Sequence, residues 1–315
     1  MMRAIRVIQP GFQSTVQDLG RFGYSHLGIS ASGAADPVSM RIGNTLVGND
    51  QNAASVEMTL TGGEFYFESS AVISITGSDF SPAVDGVQIS LWRSHFVDAG
   101  STLKLSHSRS GARCYLCVRG GFETEKILGS YSTHLLTGIG GVNGRALKKG
   151  DILNYYPAGK KDYLPVKVKD EILKNIFSIK NIFVTKAPQT DYFSEDTAKL
   201  FSFSPYLVTE EANRMGLRLS GPKLERKEKR DMITEGISLG AIQVSNGGDP
   251  IISFVEHQTT GGYPVIANVI SADIYKIGQM RPRDEINFSF IEIEEAYKKR
   301  KLLESLISQN SFRLI

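Results

Sequence analysis

The chain has 315 residues, of which 41% are hydrophobic and 22% are charged, and its formal net charge at pH 7 is +3. This is a soluble composition with enough apolar material for two domains. So small a net charge gives no indication of binding to nucleic acid or to an acidic membrane surface. Since the chain has neither a secretory leader nor an apolar run of membrane-spanning length, a cytoplasmic protein is expected.

Short apolar or alternating segments separated by turn residues dominate the sequence. Strands are predicted, in chain order, at 64–68, 71–76, 102–108 and 285–291. Many short strands at such spacing are typical of β-barrels and sandwiches and argue against a doubly wound sheet. The chain is therefore predicted to be mainly β.

Helices are predicted at few places. The clearest runs from Asp36 to Val47, with Asp36 as N-cap, Pro37 in the first turn and Gly48 just beyond the end. Two more are expected, at 190–201 and from 293 to about 308. The charged stretches, at 166–180 and 223–231, are interpreted as a linker and as an exposed, mobile loop.

The two cysteines and five histidines give no sign of redox or metal chemistry. Cys114 and Cys117 lie in a segment that is predicted to be a strand, where residues three apart point to opposite faces. Buried structural thiols are expected there. The histidines are scattered without the spacing of metal ligands, so no metal is predicted.

An internal repeat is suggested by three similarities in the same order. The segment 56–76 is similar to 234–254 at a constant offset, which places Glu57 on Glu235. Upstream, 21–33 echoes 214–221, and both halves begin with a predicted strand. Duplication predicts two domains, 1–176 and 177–315.

The segment QTTGGYP at 258–264 gathers neutral hydrogen-bonding groups. An amide side chain can donate and accept at once, hydroxyls can rotate, and glycines leave backbone N–H groups open to a developing oxyanion. This pattern favours a site for a planar amide or ureido group. The alternative interpretation is a two-glycine hairpin turn.

Other polar residues suit the same kind of site. Asp18 and Arg21 share one short loop, and Arg214 lies in NRMGLRLSG. Taken singly, each is explained by turn chemistry or by a surface ion pair. The glycine-rich stretch 138–145 is interpreted as a flexible loop and a candidate lid.

Four stretches together resemble one known family: TVQDLGRFGYSHLGISASGAAD, RMGLRLSG, EGISLGAIQV and QTTGGYPVIANVISAD. This is the allophanate hydrolase subunit 2 family, which is also called the KipA-like family or the biotin-dependent carboxyltransferase family and includes the C component of 5-oxoprolinase. The similarity extends from about Ile5 to Phe290. It implies two tandem cyclophilin-like β-barrels with a few short helices.

The resemblance also implies a site, carried over residue by residue. The residues expected to be catalytic are Gln258, Thr259, Thr260, Asp18 and Arg21. Those expected to bind substrate are Gly261, Gly262, Tyr263, Arg214 and Glu235. The chain departs from the family pattern at Glu256, where relatives usually carry Asp, and the turn residues Ala187, Ser245 and Arg283 also differ.

Three functions are implied. The first is the C component of an ATP-dependent 5-oxoprolinase, inactive alone, which helps open 5-oxo-L-proline to L-glutamate with a subunit-1-like (KipI-like) partner and a LamB/YcsF-like third subunit. The second is the carboxyltransferase component of a biotin-dependent urea or amide carboxylase. The third is a non-enzymatic antagonist of a KipI-like kinase inhibitor. The first is favoured because the chain contains no biotin carrier or ATP-grasp-like segment.

Overall fold

The structure, a computed structural model, describes residues 3–156, 163–177, 181–227, 232–308 and 311–314. The chain divides into two compact units. Unit 1 comprises Met1–Arg21, Ser32–Asn175 and Leu306–Ile315, and unit 2 comprises Phe22–Ala31 and Ile176–Ser305. Each unit is thus built from stretches that are not contiguous in sequence. The simpler division into 1–176 and 177–315 stays a prediction.

The protein is mainly β, as predicted. The strands up to residue 168 are β1 (Arg3–Gln9), β2 (Gln13–Gln17), β3 (Ser55–Thr59), β4 (Glu64–Phe67), β5 (Ala71–Gly77), β6 (Ala83–Val84), β7 (Val87–Gln88), β8 (Ser94–Val97), β9 (Thr102–Lys104), β10 (Arg113–Val118), β11 (Phe122–Glu123), β12 (Ile152–Tyr155) and β13 (Val166–Val168). The remaining strands are β14 (Ile182–Lys186), β15 (Tyr206–Val208), β16 (Gly216–Ser220), β17 (Glu235–Gly236), β18 (Ala241–Val244), β19 (Pro250–Ser253), β20 (Thr260–Gly261), β21 (Val265–Val269), β22 (Glu285–Ile286), β23 (Phe288–Phe290) and β24 (Phe312–Leu314). The α-helices are α1 (Pro37–Leu46), α2 (Asp170–Phe177), α3 (Glu195–Phe203), α4 (Ile274–Gly278) and α5 (Ile293–Leu306), and short 3-10 helices span Ser25–Leu27 and Thr190–Tyr192.

Unit 1 is built on two antiparallel sheets. Their strand orders are β11-β12-β1-β4-β9-β6-β7 and β2-β3-β10-β5-β8, and β13 pairs separately with β24. The main core draws buried side chains from both sheets, including Ile5 and Phe65 from the first and Ile75 and Leu116 from the second. In the first sheet, β1 and β4 alternate between buried and less buried residues, so one face of each strand packs on the other sheet. In the second sheet, β5 and β10 are buried almost throughout, because α1 covers their other face.

Helix α1 packs on unit 1 through a second apolar cluster. Met40 and Val47 meet Val72 and Tyr115 there. The helix begins as predicted, because the Asp36 carboxylate accepts the Ser39 N–H at 2.9 Å.

The two cysteines lie on opposite faces of β10, as predicted. Cys114 belongs to the core between the sheets, and Cys117 belongs to the cluster beneath α1. Both are free thiols. Burial raises the pKa of the Cys117 thiol to about 12 and raises that of Cys114 well above its usual value. They are therefore unreactive packing residues.

Unit 2 has one large sheet, in the order β22-β15-β16-β19-β18-β21-β14-β23, and a small pair, β17-β20. The β14–β23 pairing is parallel. Aromatic side chains fill part of its core: the rings of Phe201 and Phe288 stack with centroids 4.6 Å apart. The β17-β20 pair forms part of the candidate site.

Several local predictions were wrong. The stretch 166–180 is not a linker, because its described part forms β13 and α2. The helix expected at 190–201 begins only at Glu195, since Ser194 caps it by accepting the Thr197 N–H at 3.1 Å. The strand expected at 285–291 is divided at Asn287 between two partner strands, β15 and β14.

Two other predictions have partial outcomes. The strand expected at 102–108 ends at Lys104. Within the predicted loop 223–231, Leu224 is buried, and residues 228–231 lie outside the described residues.

In the part of the chain that the structure describes, no helix is both long and apolar enough to cross a bilayer.

Candidate functional site

A cavity of about 200 Å³ in unit 2 is lined by residues from two stretches that resemble the family, EGISLGAIQV and QTTGGYPVIANVISAD, and from the turn at Pro188 and Gln189. Its walls come from the turn before the 190–192 helix, from β17 and the residues after it, and from the segment 261–268. The described residues that line it are Pro188, Gln189, Met232, Glu235, Gly236, Ile237, Ser238, Ala241, Gly261, Tyr263, Val265 and Asn268. Its volume lies below the range of sites for drug-sized ligands, which favours a small substrate.

The β17-β20 pair forms one wall of this cavity. Glu235 lies opposite Gly261 and Gly236 opposite Thr260, while the Ile237 N–H donates to the Thr259 carbonyl at 2.9 Å. Strand β21, which follows, pairs instead with β14 and β18. The interpretation of 258–264 as a two-glycine hairpin turn is therefore wrong.

Gly261 is closely surrounded by side chains but has no unusual backbone angle. Its φ is not positive, but a Cβ atom there would collide with the Ile237 Cδ1 atom and lie 2.7 Å from the Gln243 Nε2 atom. Gly262 has more room, since the nearest atom to a Cβ would be the Thr234 Oγ1 atom at 3.8 Å. Only the first glycine is thus fixed by its surroundings.

Gln189 links two walls of the cavity. Its Nε2 donates to the Glu235 Oε2 atom at 2.7 Å, and its Oε1 accepts the Val265 N–H at 3.1 Å. The sequence did not assign Gln189 to the site, although it lies two residues after Ala187, one of the turn residues that differ from the family pattern. The partner 46 residues away could not be identified from local patterns.

Asn268 offers a donor on the same cavity. The Ser238 hydroxyl lies 3.5 Å from the Asn268 Oδ1 atom, which leaves the Nδ2 group as a donor. A carboxylate acceptor on Glu235 and an amide donor on Asn268 suit the N–H and C=O edges of a planar amide. Asn268 was also missed, although it lies within QTTGGYPVIANVISAD.

The residues that were expected to be catalytic in unit 2 lie at the exposed end of the segment. Gln258 and Thr260 are exposed, and the Gln258 side chain makes no hydrogen bond with the described residues. Tyr263 lines the cavity and is 39% exposed. Gln258 is therefore free to meet a ligand, and its catalytic role stays a prediction.

His257 is a titratable group next to Gln258. Burial lowers the pKa of its imidazole, although the hydrogen bond to the Gln258 carbonyl opposes that effect. The Nδ1 atom lies 2.8 Å from that carbonyl oxygen, which can only accept, so the proton is on Nδ1 and Nε2 is left as an acceptor. Nothing in the sequence indicated that His257 would lie partly buried next to Gln258 with Nε2 as an acceptor.

Arg214 holds the start of the 256–258 turn in place. Its Nε–H donates to the Glu256 Oε1 atom at 2.5 Å, and both side chains are at most 5% exposed. The Arg214 carbonyl also accepts the Glu256 N–H at 2.8 Å. Arg214 was expected to bind substrate, and that role stays a prediction. Its contacts position the chain before Gln258.

Asp18 lies in unit 1 within a closed network. Its Oδ1 atom accepts from the Gly20 N–H and from the Ser130 and Ser132 hydroxyls at 2.6–2.7 Å, and Oδ2 accepts the Tyr131 N–H at 2.7 Å. The side chain is 1% exposed. Both oxygens are thus committed to protein donors. The geometry favours a positioning role, and the expected catalytic role stays a prediction.

Arg21 and the glycine-rich stretch 138–145 pack beside this network. The Arg21 Nη2 group donates to the Ser132 carbonyl. Gly140 and Gly141 are buried, and a Cβ at Gly140 would collide with that same carbonyl. The stretch predicted as a flexible loop is instead a series of tight, packed turns. Gly140 is needed for the close contact with Ser132, and Gly141 for the close contact with Thr133.

The two acids paired by the internal repeat have different surroundings. Glu57 is 1% exposed, and its Oε2 atom accepts from the Tyr115 hydroxyl and the Ala35 N–H, each at 2.7 Å. Burial raises the pKa of Tyr115 well above its usual value, and the nearby Glu57 and Asp36 carboxylates raise it further, so it remains a donor. Glu235 is exposed on the cavity. Only Glu235 can meet a ligand.

Comparison with known proteins identifies the family. The family described as "Carboxyltransferase domain, subdomain A and B" matches residues 27–290. The chain belongs to this family. The resemblance inferred from the motifs is thereby confirmed.

The chain is similar to components of 5-oxoprolinases and to segments of urea enzymes. The C component of the Escherichia coli 5-oxoprolinase is 36% identical over 311 residues, which is 98% of each chain, and that of Haemophilus influenzae is 34% identical. The urea amidolyase of Saccharomyces cerevisiae is 36% identical over 96% of this chain but only 17% of its own length. The crystal structure of the K. lactis urea amidolyase superposes with a TM-score of 0.89 at 30% identity and covers 98% of this chain and 21% of that one. The chain thus spans a small part of the urea enzymes and nearly all of the oxoprolinase components.

Proposed function

We propose that this protein is the C component of an ATP-dependent 5-oxoprolinase complex, which opens 5-oxo-L-proline to L-glutamate. The observation that carries the proposal is its 36% identity to such a 5-oxoprolinase component across 98% of both chains. In the reaction the lactam C–N bond breaks, the ring nitrogen gains a proton, and the carbonyl carbon receives an oxygen from water. The hydrolysis of ATP to ADP and phosphate supplies the driving force.

The unit 2 cavity is the part of this chain that we assign to the lactam. Its volume of about 200 Å³ suits a five-membered ring, and Glu235 and Asn268 offer an acceptor and a donor to the ring amide. Backbone N–H groups near Gly261 would stabilise charge that develops on the carbonyl oxygen. Gln258 is not among the described residues that line the cavity, and it would contact the substrate from the exposed end of the segment. Arg214, which is buried in unit 2, would support this site by holding Glu256 in place before Gln258, and the roles of Asp18 and Arg21 in unit 1 stay predictions.

ATP does not fit this cavity. Among the described residues that line it, one is acidic and none is Lys or Arg, so nothing there would neutralise a triphosphate. We therefore assign the nucleotide to the partners, a subunit-1-like (KipI-like) protein and a LamB/YcsF-like protein. The isolated chain is expected to hydrolyse no ATP.

A second candidate function is carboxyl transfer in a biotin-dependent urea or amide carboxylase. The family match and the 36% identity to urea amidolyase favour it. The ureido group of biotin is a planar amide and suits the same donor and acceptor pair. No observation on this chain favours the third function, a binding protein that opposes a kinase inhibitor.

The test is reconstitution of the complex from this chain and its two proposed partners. Glutamate release from 5-oxoproline and ATP should require all three proteins. If the associated complex releases none, but carboxylates urea when it is supplied with a carboxylated biotin carrier, the second function replaces the first.

Gln258→Ala should lower the activity of the complex without destabilising the chain. The side chain is exposed and makes no hydrogen bond with the described residues, so its loss should cost less than about 0.5 kcal/mol of stability. We expect kcat to fall about 10- to 100-fold if the amide stabilises the transition state. A drop in melting temperature with unchanged kcat would contradict the proposed role.

Gly261→Ala should raise the KM for 5-oxoproline about 10-fold, because the ends of the Ile237 and Gln243 side chains must move to admit the new methyl group and Ile237 lines the cavity. The displaced atoms lie at the ends of flexible side chains, so the melting temperature should change little. Gly262→Ala is the matched comparison, since its Cβ meets no atom closer than 3.8 Å and its N–H is kept. An equal rise in KM for both variants would show that the space at Gly261 is not the cause.

A further inference from the structure

The Gln189–Glu235 contact has a fixed direction. The Val265 N–H can only donate, and it lies 3.1 Å from the Gln189 Oε1 atom. The other end of the side-chain amide is therefore the NH₂ group, which donates to the Glu235 Oε2 atom at 2.7 Å. The amide cannot be turned over without placing two donors face to face. The backbone of β21 thus determines which atom Gln189 presents to Glu235.

The turn that carries Gln189 is itself anchored. The Thr190 hydroxyl donates to the Ile266 carbonyl at 2.7 Å and accepts the Ala187 N–H at 2.8 Å. Thr190 is 8% exposed. Gln189 is therefore held on β21 by its own side chain and by the next residue, which gives it little freedom to move away from the cavity.

One carboxylate oxygen of Glu235 remains for a ligand. Oε2 is occupied by Gln189, and Oε1 has no hydrogen-bond partner among the described residues. Glu235 lies on the cavity wall opposite Gly261. An acceptor held in this way matches a substrate that presents an N–H group, as a lactam or urea does.

We propose that Gln189 is a positioning residue that orients the Glu235 carboxylate, so that its Oε1 atom accepts the amide N–H of the substrate. This inference rests on the proposed function, because it concerns the same cavity and the same substrate. Glu235 is the residue that contacts the substrate, and Gln189 acts only through it. Selectivity for a substrate with an N–H group follows from the pair.

The direction of the Gln189–Glu235 hydrogen bond can be tested by exchanging the two residues. In Glu235→Gln, Gln189 still donates to the side-chain oxygen, so the new NH₂ group takes the place of Oε1 and meets the substrate N–H donor to donor. In Gln189→Glu, the Val265 N–H is still accepted, but two carboxylates face each other. In the double variant, Glu at 189 accepts from the NH₂ group at 235, and the oxygen at 235 again faces the cavity. The exchange conserves net charge.

The experiment measures kcat and KM for 5-oxoproline in the reconstituted complex with each variant. We expect each single variant to raise KM about 10- to 100-fold, because the substrate N–H group loses a correctly oriented acceptor. The double variant should return KM to within about 5-fold of the wild type, since the acceptor is restored. Glu211→Gln, on an exposed ion pair elsewhere in unit 2, should leave KM unchanged.

The outcomes separate this inference from the proposed function. If the wild-type complex releases no glutamate, the proposed function fails and the inference falls with it. If the wild type is active but the double variant is no better than the worse single variant, only the inference is overturned. Melting temperatures within about 2 °C for the wild type, the two single variants and the double variant would exclude misfolding as the cause.

Discussion

Asp18→Asn should destabilise unit 1 by about 3 kcal/mol or more. An asparagine has one acceptor oxygen where the carboxylate has two, and its NH₂ group must then face a donor. The Ser130 and Ser132 hydroxyls can rotate, but the N–H groups of Gly20 and Tyr131 cannot. One partly buried backbone donor therefore loses its partner, and the charge-assisted bonds to the others weaken.

The measurement is urea-induced unfolding followed by tryptophan fluorescence. The single tryptophan, Trp92, lies in unit 1 and reports on the part of the chain that holds Asp18. Asp79→Asn is the matched control, because the Asp79 side chain is 37% exposed, accepts the Ser81 N–H in a half-buried turn and pairs with Arg109 only at 3.6 Å. It should cost less than about 1 kcal/mol. If Asp18→Asn unfolds like the wild type but the complex loses activity, Asp18 is catalytic as the sequence indicated.

Local signals in the sequence predicted the features that depend on neighbouring residues. The N-cap of α1 at Asp36 and the strands at 64–67 and 71–77 follow from patterns within a few positions. The opposed cysteines of β10 follow from the two-residue period of a strand. In each case the physical cause acts within one segment, so one sequence was enough.

Features that depend on distant partners were not predicted. The break at Asn287 exists because β22 and β23 pair with different strands, and no local residue marks it. The hydrogen bonds of Asp18 were not predicted, because nothing nearby in the sequence shows that Ser130 and Ser132, more than 100 residues away, donate to it. The motif QTTGGYP indicated the cavity, but Gln189 and Asn268 belong to it only through sheet pairing.

Glu256→Ala should cost about 3–5 kcal/mol of stability in unit 2. The variant removes the carboxylate that lies 2.5 Å from the Arg214 Nε atom, and both side chains are at most 5% exposed. A guanidinium that is buried without this carboxylate carries a desolvation cost that water cannot offset. The Arg214→Met/Glu256→Leu double variant should lose less than Glu256→Ala alone, because it buries no charge. The exposed Arg218–Glu211 pair gives the control, and Glu211→Ala should cost less than about 1 kcal/mol.

Glu256→Asp tests what the departure from the family pattern does to the neighbouring site. The shorter side chain keeps the charge but pulls the carboxylate about one bond length back from Arg214, so we expect a loss of about 1–2 kcal/mol. The Glu256 N–H also donates to the Arg214 carbonyl at 2.8 Å, which ties the pair to the turn that leads to Gln258. Circular dichroism during urea unfolding measures the stability, and the KM for 5-oxoproline measures the site. A KM that changes while stability does not would mean that Glu256 adjusts the Gln258 turn for its ligand. If stability falls while KM is unchanged, the Arg214–Glu256 pair contributes to folding and not to substrate binding.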